Sequence, residues 1–197
     1  MSPRVPPAEI NGAQGAIVKW FSKRTLGSVP ESLGVGWNNP KVMKGVFAVS
    51  GKARKWDACD ESLKSFAHMA VASLIGCTWC LDFGYFAAHN ENLDLDKARE
   101  VPRWRESDAF TPLERYVLEY AEAMSATPPA VTDYMSARLL DQLGAPALVE
   151  LTAYIALANL YARNNVALGV ESEGFAAACG LPDLAEPAQG RGLASAA

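Results

Sequence analysis

Capped amphipathic segments follow one another along this 197-residue chain, and no stretch alternates apolar and polar residues at the two-residue period of a half-buried strand. Asn39-Pro40 pairs an N-cap with a proline at the first helical position, ahead of Val42, Met43, Val46, Phe47 and Val49. Asp60 precedes Leu63, Phe66, Ala67, Ala70, Val71 and Leu74 at three- and four-residue spacing, and Gly76 ends that run. Thr111-Pro112-Leu113-Glu114 is a capping box that opens a helix carrying Leu113, Val117, Tyr120, Ala121 and Met124 inward. Thr132 caps a helix that ends at Gly144, and Pro146 starts an Ala- and Leu-rich one to about Leu168, with Gly169 beyond it. Shorter helices are expected over residues 14–23, 77–89, 93–101 and 172–179. The expectation is an all-α fold in one helical domain, residues 14–184, between a flexible arm at 1–13 and a flexible tail at 185–197.

Half of the residues are hydrophobic and the formal net charge is −4. Charges of both signs are interspersed without a basic run, which points away from nucleic acid and from an anionic membrane surface. The start, Met1-Ser2-Pro3-Arg4-Val5-Pro6-Pro7, lacks the apolar core of a secretory signal. The most apolar run, residues 145–162, contains Glu150 and reads as a helix buried on most sides rather than a membrane span. Four cysteines in a chain of this length do not make a disulfide scaffold. A cytoplasmic location is therefore expected, where a Cys-x-x-Cys is more often redox or metal chemistry than a staple.

That motif is Cys77-Thr78-Trp79-Cys80, directly after Gly76. Residues three apart on one helical turn share a face, within the roughly 4.4–6.8 Å Cα separation of a disulfide. A cysteine at a helix start is acidified by unpaired backbone N–H groups and the positive end of the dipole, and the thiolate is the nucleophile of exchange and peroxide reduction. A metal site needs two more ligands. His68, His89, Cys59, Cys179 and Asp82 are the candidates, and none forms the second close pair of a structural zinc site, so neither metal nor cofactor is expected. Two buried, inert cysteines are the third reading. Cys59 and Cys179 stand singly and read as packing residues.

Several segments together resemble the carboxymuconolactone decarboxylase family, on its AhpD-like (alkylhydroperoxidase-type) side. The run Leu63 to Gly76 leading into Cys77-Thr78-Trp79-Cys80 is similar to the family's signature helix pair. Val29-Pro30 and Asn39-Pro40-Lys41-Val42 resemble its entry segment. Phe110-Thr111-Pro112-Leu113-Glu114-Arg115 with Tyr120-Ala121-Glu122-Ala123-Met124 resembles its next helix, and Asn159, Arg163, Asn164 and Ala167-Leu168-Gly169 its closing one. The resemblance implies an AhpD-like helical bundle that assembles into trimers or hexamers. It also implies a peroxidase-type oxidoreductase in antioxidant defence, in which Cys77 and Cys80 cycle between dithiol and disulfide, with a peroxide or other small molecule as substrate and a lipoylated or thiol partner as electron donor.

The family's proton relay of one Glu and two His would fall at Ser65, Trp79 and Gly84, so none of the relay residues is present here. Asp82, His89, His68 and Tyr85 are the substitutes the sequence offers, with Asp82 reading equally well as an exposed first-turn acid. The order of attack stays open: the resemblance points to Cys80, the helix start to Cys77. Asn159, Arg163 and Asn164 read as ties between helices or subunits more readily than as a cavity lining. Two other functions remain: a decarboxylase of aromatic catabolism working by acid–base chemistry, and a non-catalytic, redox-sensing helical oligomer.

Overall fold

The computed structural model describes residues 3–186. The helices are α1 (Gly12–Leu26), α2 (Glu31–Trp37), α3 (Pro40–Ala53), α4 (Glu61–Ile75), α5 (Thr78–Asn90), α6 (Leu95–Glu100), α7 (Pro112–Ser125), α8 (Asp133–Leu168) and α9 (Phe175–Ala178), with a 3-10 turn at Val101–Arg103. No strand occurs among the described residues, and the all-α expectation holds. The starts are where the capping signals put them. Asn39, Asp60, Thr111 and Thr132 each accept a backbone N–H from the first turn of α3, α4, α7 and α8, and Glu114 completes the capping box.

The fold is built around α4, which packs on α5, α7 and α8. Phe66, Ala67, Met69, Ala70, Val71 and Ala72 are all buried on it. The alanines let neighbouring helices approach closely, while each large side chain contributes roughly 1.5–3 kcal/mol by leaving water. Lys64 is also buried on α4. Its ammonium donates to the Trp56 carbonyl (2.8 Å) and Glu150 (3.0 Å) and pairs with Glu61 (2.9 Å). Glu150 in turn accepts the N–H groups of Ala58 and Cys59, so one ion pair fastens the 56–59 loop to α4 and α8.

α8 runs through both expected helices, with a sharp break at Gly144, whose φ of 76° lies in the left-handed region. Leu151, Ile155, Ala158 and Ala162 form its buried stripe. The expectation that this segment is buried on most sides does not hold for the single chain. Val149 is 69 % exposed and Leu160 42 %, because α4 and α7 cover one face of α8 and leave the other outward. Among the described residues, α8 is the one helix long and apolar enough to cross a membrane by length and composition; the Gly144 break and its packing on α4 and α7 are those of a helix in a bundle.

α1–α3 form a smaller unit with its own core of Ile10, Leu33 and Met43. Here large apolar residues face outward: Ile17, Trp20 and Phe21 on α1, and on α3 the Val42, Phe47 and Val49 read from the sequence. The segment before α1, expected as a loose arm, makes a series of contacts. The Arg4 N–H donates to the Leu168 carbonyl (2.8 Å), its guanidinium to the Val166 and Ala167 carbonyls, and the Ala8 N–H to Gly34 (3.0 Å). Of the expected tail, Ala185 is buried and donates to the Arg99 carbonyl (3.0 Å); residues 187–197 lie outside the described residues.

Candidate functional site

The turn between α4 and α5 decides where the two sulfurs sit. Gly76 ends α4 at φ 78°, and the N–H groups of Gly76 and Cys77 both return to the Ala72 carbonyl at 3.0 and 2.9 Å. That reversal leaves no linker, so Cys77 becomes the N-cap of α5. Cys77 and Cys80 are joined as a disulfide with a Cα separation of 5.3 Å, and both are buried. Each sulfur has a hydrogen-bond donor of its own. The Cys80 N–H points at Cys77 Sγ (3.2 Å), and the side-chain amide of Asn165, from the last turn of α8, donates to Cys80 Sγ (3.4 Å).

The chain that follows α8 closes over the first turns of α5. The Ser172 N–H donates to Thr78 Oγ1 (3.1 Å), and Asp82 accepts from Ser172 Oγ (2.8 Å) and from the N–H groups of Gly174 (2.9 Å), Phe175 (3.0 Å) and Ala176 (2.9 Å). The neighbouring Glu173 accepts the Trp79 indole N–H (3.0 Å) and the Glu31 N–H (2.8 Å), linking this strap to α2. Trp79 stacks on Phe83 with centroids 5.0 Å apart, and Phe175 meets both edge-on.

The four supporting candidates part company here. Asp82 is not an exposed first-turn acid; the strap buries it, and its carboxylate receives the four donors just named. His89 lies in the last turn of α5, far along the helix from the pair. Tyr85 is buried and lines a cavity of about 290 Å3 with Thr78, Leu81, Asp82 and Leu184; neither cysteine borders it. Burial pushes the Tyr85 phenol above its usual pKa, with nearby Arg99 opposing.

His68 is the candidate that meets the pair's own turn. Its imidazole lies against Gly84, where an added Cβ would come within 3.2 Å of His68 Cδ2, and it hydrogen-bonds to the Cys80 backbone. Loss of water lowers its pKa below the ordinary histidine value, the hydrogen bond only partly opposing this, so the ring is neutral at pH 7. The position where the family's relay would carry a histidine is thus a glycine that makes room for an imidazole from α4. Ser65, at the Glu position, is buried on the same helix.

Cys59 and Cys179 are free thiols. Cys59 is buried, and desolvation together with the Glu150 charge pushes its pKa up to about 11, so it stays protonated. Arg163 donates to the Ser125 carbonyl (2.6 Å) and Asn159 to Ser125 Oγ (2.9 Å), tying α8 to the end of α7, which is the use expected of them. Among the described residues no group of three or more His, Cys, Asp or Glu could hold a metal ion.

The residue that sequence reasoning missed is Asn165. A signal was present: it continues the spacing of Leu151, Ile155, Ala158 and Ala162, which places a carboxamide on the inward stripe of an otherwise apolar helix.

The sequence profile of the carboxymuconolactone decarboxylase family matches residues 40–123. The uncharacterized protein YnjA of Escherichia coli is 38 % identical over 130 residues, 66 % of this chain and 70 % of that one. Among solved structures, a debrominase in complex with 2,3,4-tribromopyrrole superposes with a TM-score of 0.76 at 21 % identity, over 88 % of this chain and 94 % of that one. An uncharacterized peroxidase-related protein with an alkylhydroperoxidase AhpD core, from Ralstonia eutropha, gives 0.74 at 16 % identity over 89 % and 95 %. A protein of unknown function from Agrobacterium tumefaciens, described as a putative antioxidant defence protein AhpD, gives 0.65 at 19 % identity over 70 % and 94 %. At these identities the structural likeness shows a shared all-helical fold.

Proposed function

Because this chain belongs to the carboxymuconolactone decarboxylase family, we propose that it is a thiol-dependent oxidoreductase of the AhpD-like kind, working through a Cys77–Cys80 dithiol–disulfide pair in antioxidant defence. The observation that carries this reading is the pair itself: two cysteines bridged at a helix start, with a hydrogen-bond donor directed at each sulfur. Donors so placed stabilise a thiolate, the reactive form of either cysteine.

The proposed reaction balances without a cofactor. A thiolate attacks the distal oxygen of a hydroperoxide, the O–O bond breaks, and the alcohol leaves with a proton. The resulting sulfenic acid is attacked by the second thiol, the S–S bond forms, and water departs. An external dithiol, such as a lipoyl group on a partner, returns two electrons and two protons to the pair. His68, neutral and at the backbone of Cys80, is the group we assign to accept the thiol proton when the reduced pair forms its attacking thiolate and to return it to the departing alkoxide. The outward apolar residues of α1, α3 and α8 suit burial between copies of the chain, and we place such an oligomer in the cytoplasm.

The debrominase likeness supports a second substrate class for the same pair, a halogenated aromatic ring laid against Trp79 and Phe83. There the two thiols would supply two electrons and two protons as the S–S bond forms, one proton replacing the halogen on the ring carbon and the other released with the halide. The decarboxylase reading finds less support, because Arg163 and Asn159 are engaged with α7.

The test is dithiol-dependent turnover of an alkyl hydroperoxide, with a bromopyrrole and a carboxymuconolactone assayed beside it. Consumption of the hydroperoxide by the wild type and none by Cys80→Ser is the expected result. Decarboxylation that survives in a Cys77→Ala/Cys80→Ala variant would overturn the reading.

A further inference from the structure

We propose that Asn165 is a thiolate-stabilising residue of this site: its carboxamide N–H groups hold Cys80 Sγ as the anion whenever the pair is reduced. The inference rests on the redox reading above and adds to it a residue from a different helix. Asn165 Nδ2 stands 3.4 Å from Cys80 Sγ. The amide reaches the sulfur because α8 ends there. Gly169 caps the helix in the left-handed region, and the Gly169 and Val170 N–H groups return to the Val166 and Asn165 carbonyls at 3.2 and 2.9 Å, which fixes the Asn165 backbone.

The chemistry is asymmetric between the two oxidation states. A disulfide sulfur is a poor acceptor, and the contact contributes little to it. A thiolate is a charged acceptor, and a hydrogen bond to a charged group is about twice as strong as a neutral one. The same donor therefore favours the dithiol over the disulfide and lowers the pKa of Cys80. Cys77 needs no such residue, because its donor is the Cys80 backbone N–H at the start of α5. The two sulfurs are thus served by different parts of the chain, and only the donor to Cys80 can be removed by substituting a side chain.

The contact directs a polar side chain from α8 at a sulfur across the bundle. Asn159 and Arg163, on the same helix, point to α7 instead. Apolar residues fill the preceding buried positions of the same stripe.

The experiment compares wild type with Asn165→Leu and Asn165→Asp. The equilibrium of each full-length protein with a glutathione redox buffer is read by thiol alkylation, and the pH dependence of Cys80 alkylation in the reduced state is followed alongside. Loss of the donor is expected to shift the dithiol–disulfide equilibrium about tenfold toward the disulfide and to raise the pH midpoint of Cys80 alkylation by about one unit. The carboxylate of Asn165→Asp, repelling the thiolate, is expected to shift both further. A residue that only packs α8 would change the unfolding midpoint and leave the pH midpoint where it was. An unchanged equilibrium and pH midpoint in both variants, in a wild type that cycles, would overturn the inference; a wild type that does not cycle would overturn the redox reading beneath it.

Discussion

Asp82→Ala is the substitution that separates support of the site from chemistry within it. The carboxylate is buried and accepts three main-chain N–H groups, from Gly174, Phe175 and Ala176, together with the Ser172 hydroxyl. Deleting it orphans those donors at the start of α9, and a buried donor without a partner costs about 1–3 kcal/mol. The strap ends at a short helix and can partly rehydrate, so the costs do not add fully. We expect a loss of about 3–5 kcal/mol. Asp82→Asn keeps one acceptor oxygen, turns an amide N–H toward the strap, and is expected to fall between Asp82→Ala and wild type. Urea denaturation of the reduced and oxidised proteins measures the loss, and iodoacetamide alkylation measures the thiols under native conditions. Because this carboxylate faces the strap, the reduced pair is expected to keep its intrinsic alkylation rate within about threefold. Stability within about 0.5 kcal/mol of wild type, with alkylation slowed tenfold or more, would refute the reasoning and return Asp82 to the role of a base.

Gly84→Ala is expected to destabilise by about 1–3 kcal/mol, since the new Cβ would stand 2.9 Å from Met69 Cγ and 3.2 Å from His68 Cδ2; thermal unfolding reports it, and paired with His68→Ala the loss should shrink. The His68 pKa is held below the 6.5 of the free group by burial, so the unfolded chain takes up a proton near pH 6.5 that the folded chain refuses. Its contribution is fully present above that pH and is lost as pH falls, by up to about 1.4 kcal/mol per unit, until the folded ring titrates; His68→Gln should flatten the stability profile below pH 6.5. Lys64→Met leaves Glu150 buried beside Trp56 without its ammonium, and is expected to cost about 3–5 kcal/mol in denaturant unfolding with no change in thiol reactivity.

The helices were legible because their signals are local. A cap, a proline at the first helical position or a glycine past the last acts within one turn, and Asp60, Thr111, Thr132, Gly144 and Gly169 all act as read. The bridged pair was legible for the same reason, since Cys77 and Cys80 share one turn of α5. What surrounds the pair was not, because it is assembled from distant parts of the chain. Asp82 read equally well as a base or as an exposed acid because nothing near it in sequence reveals that residues 172–176 return to cover it. Asn165 sits 85 residues from Cys80 and carries only the mark of a polar residue on an apolar stripe. The outward faces of α1, α3 and α8 followed the same limit: periodicity identifies an apolar face but not what lies against it.

The central claim is that Cys77 and Cys80 form a reversible redox couple, and a titration of thiols by oxidation state tests it most directly. Protein reduced with a lipoyl dithiol is exposed to one equivalent of alkyl hydroperoxide, and free thiols are counted by alkylation and peptide mapping. The account predicts loss of the Cys77 and Cys80 thiols together, one alcohol formed per pair, full recovery on adding dithiol, and a Cys59 that stays unmodified throughout. Thiols at positions 77 and 80 that persist in excess hydroperoxide would contradict it.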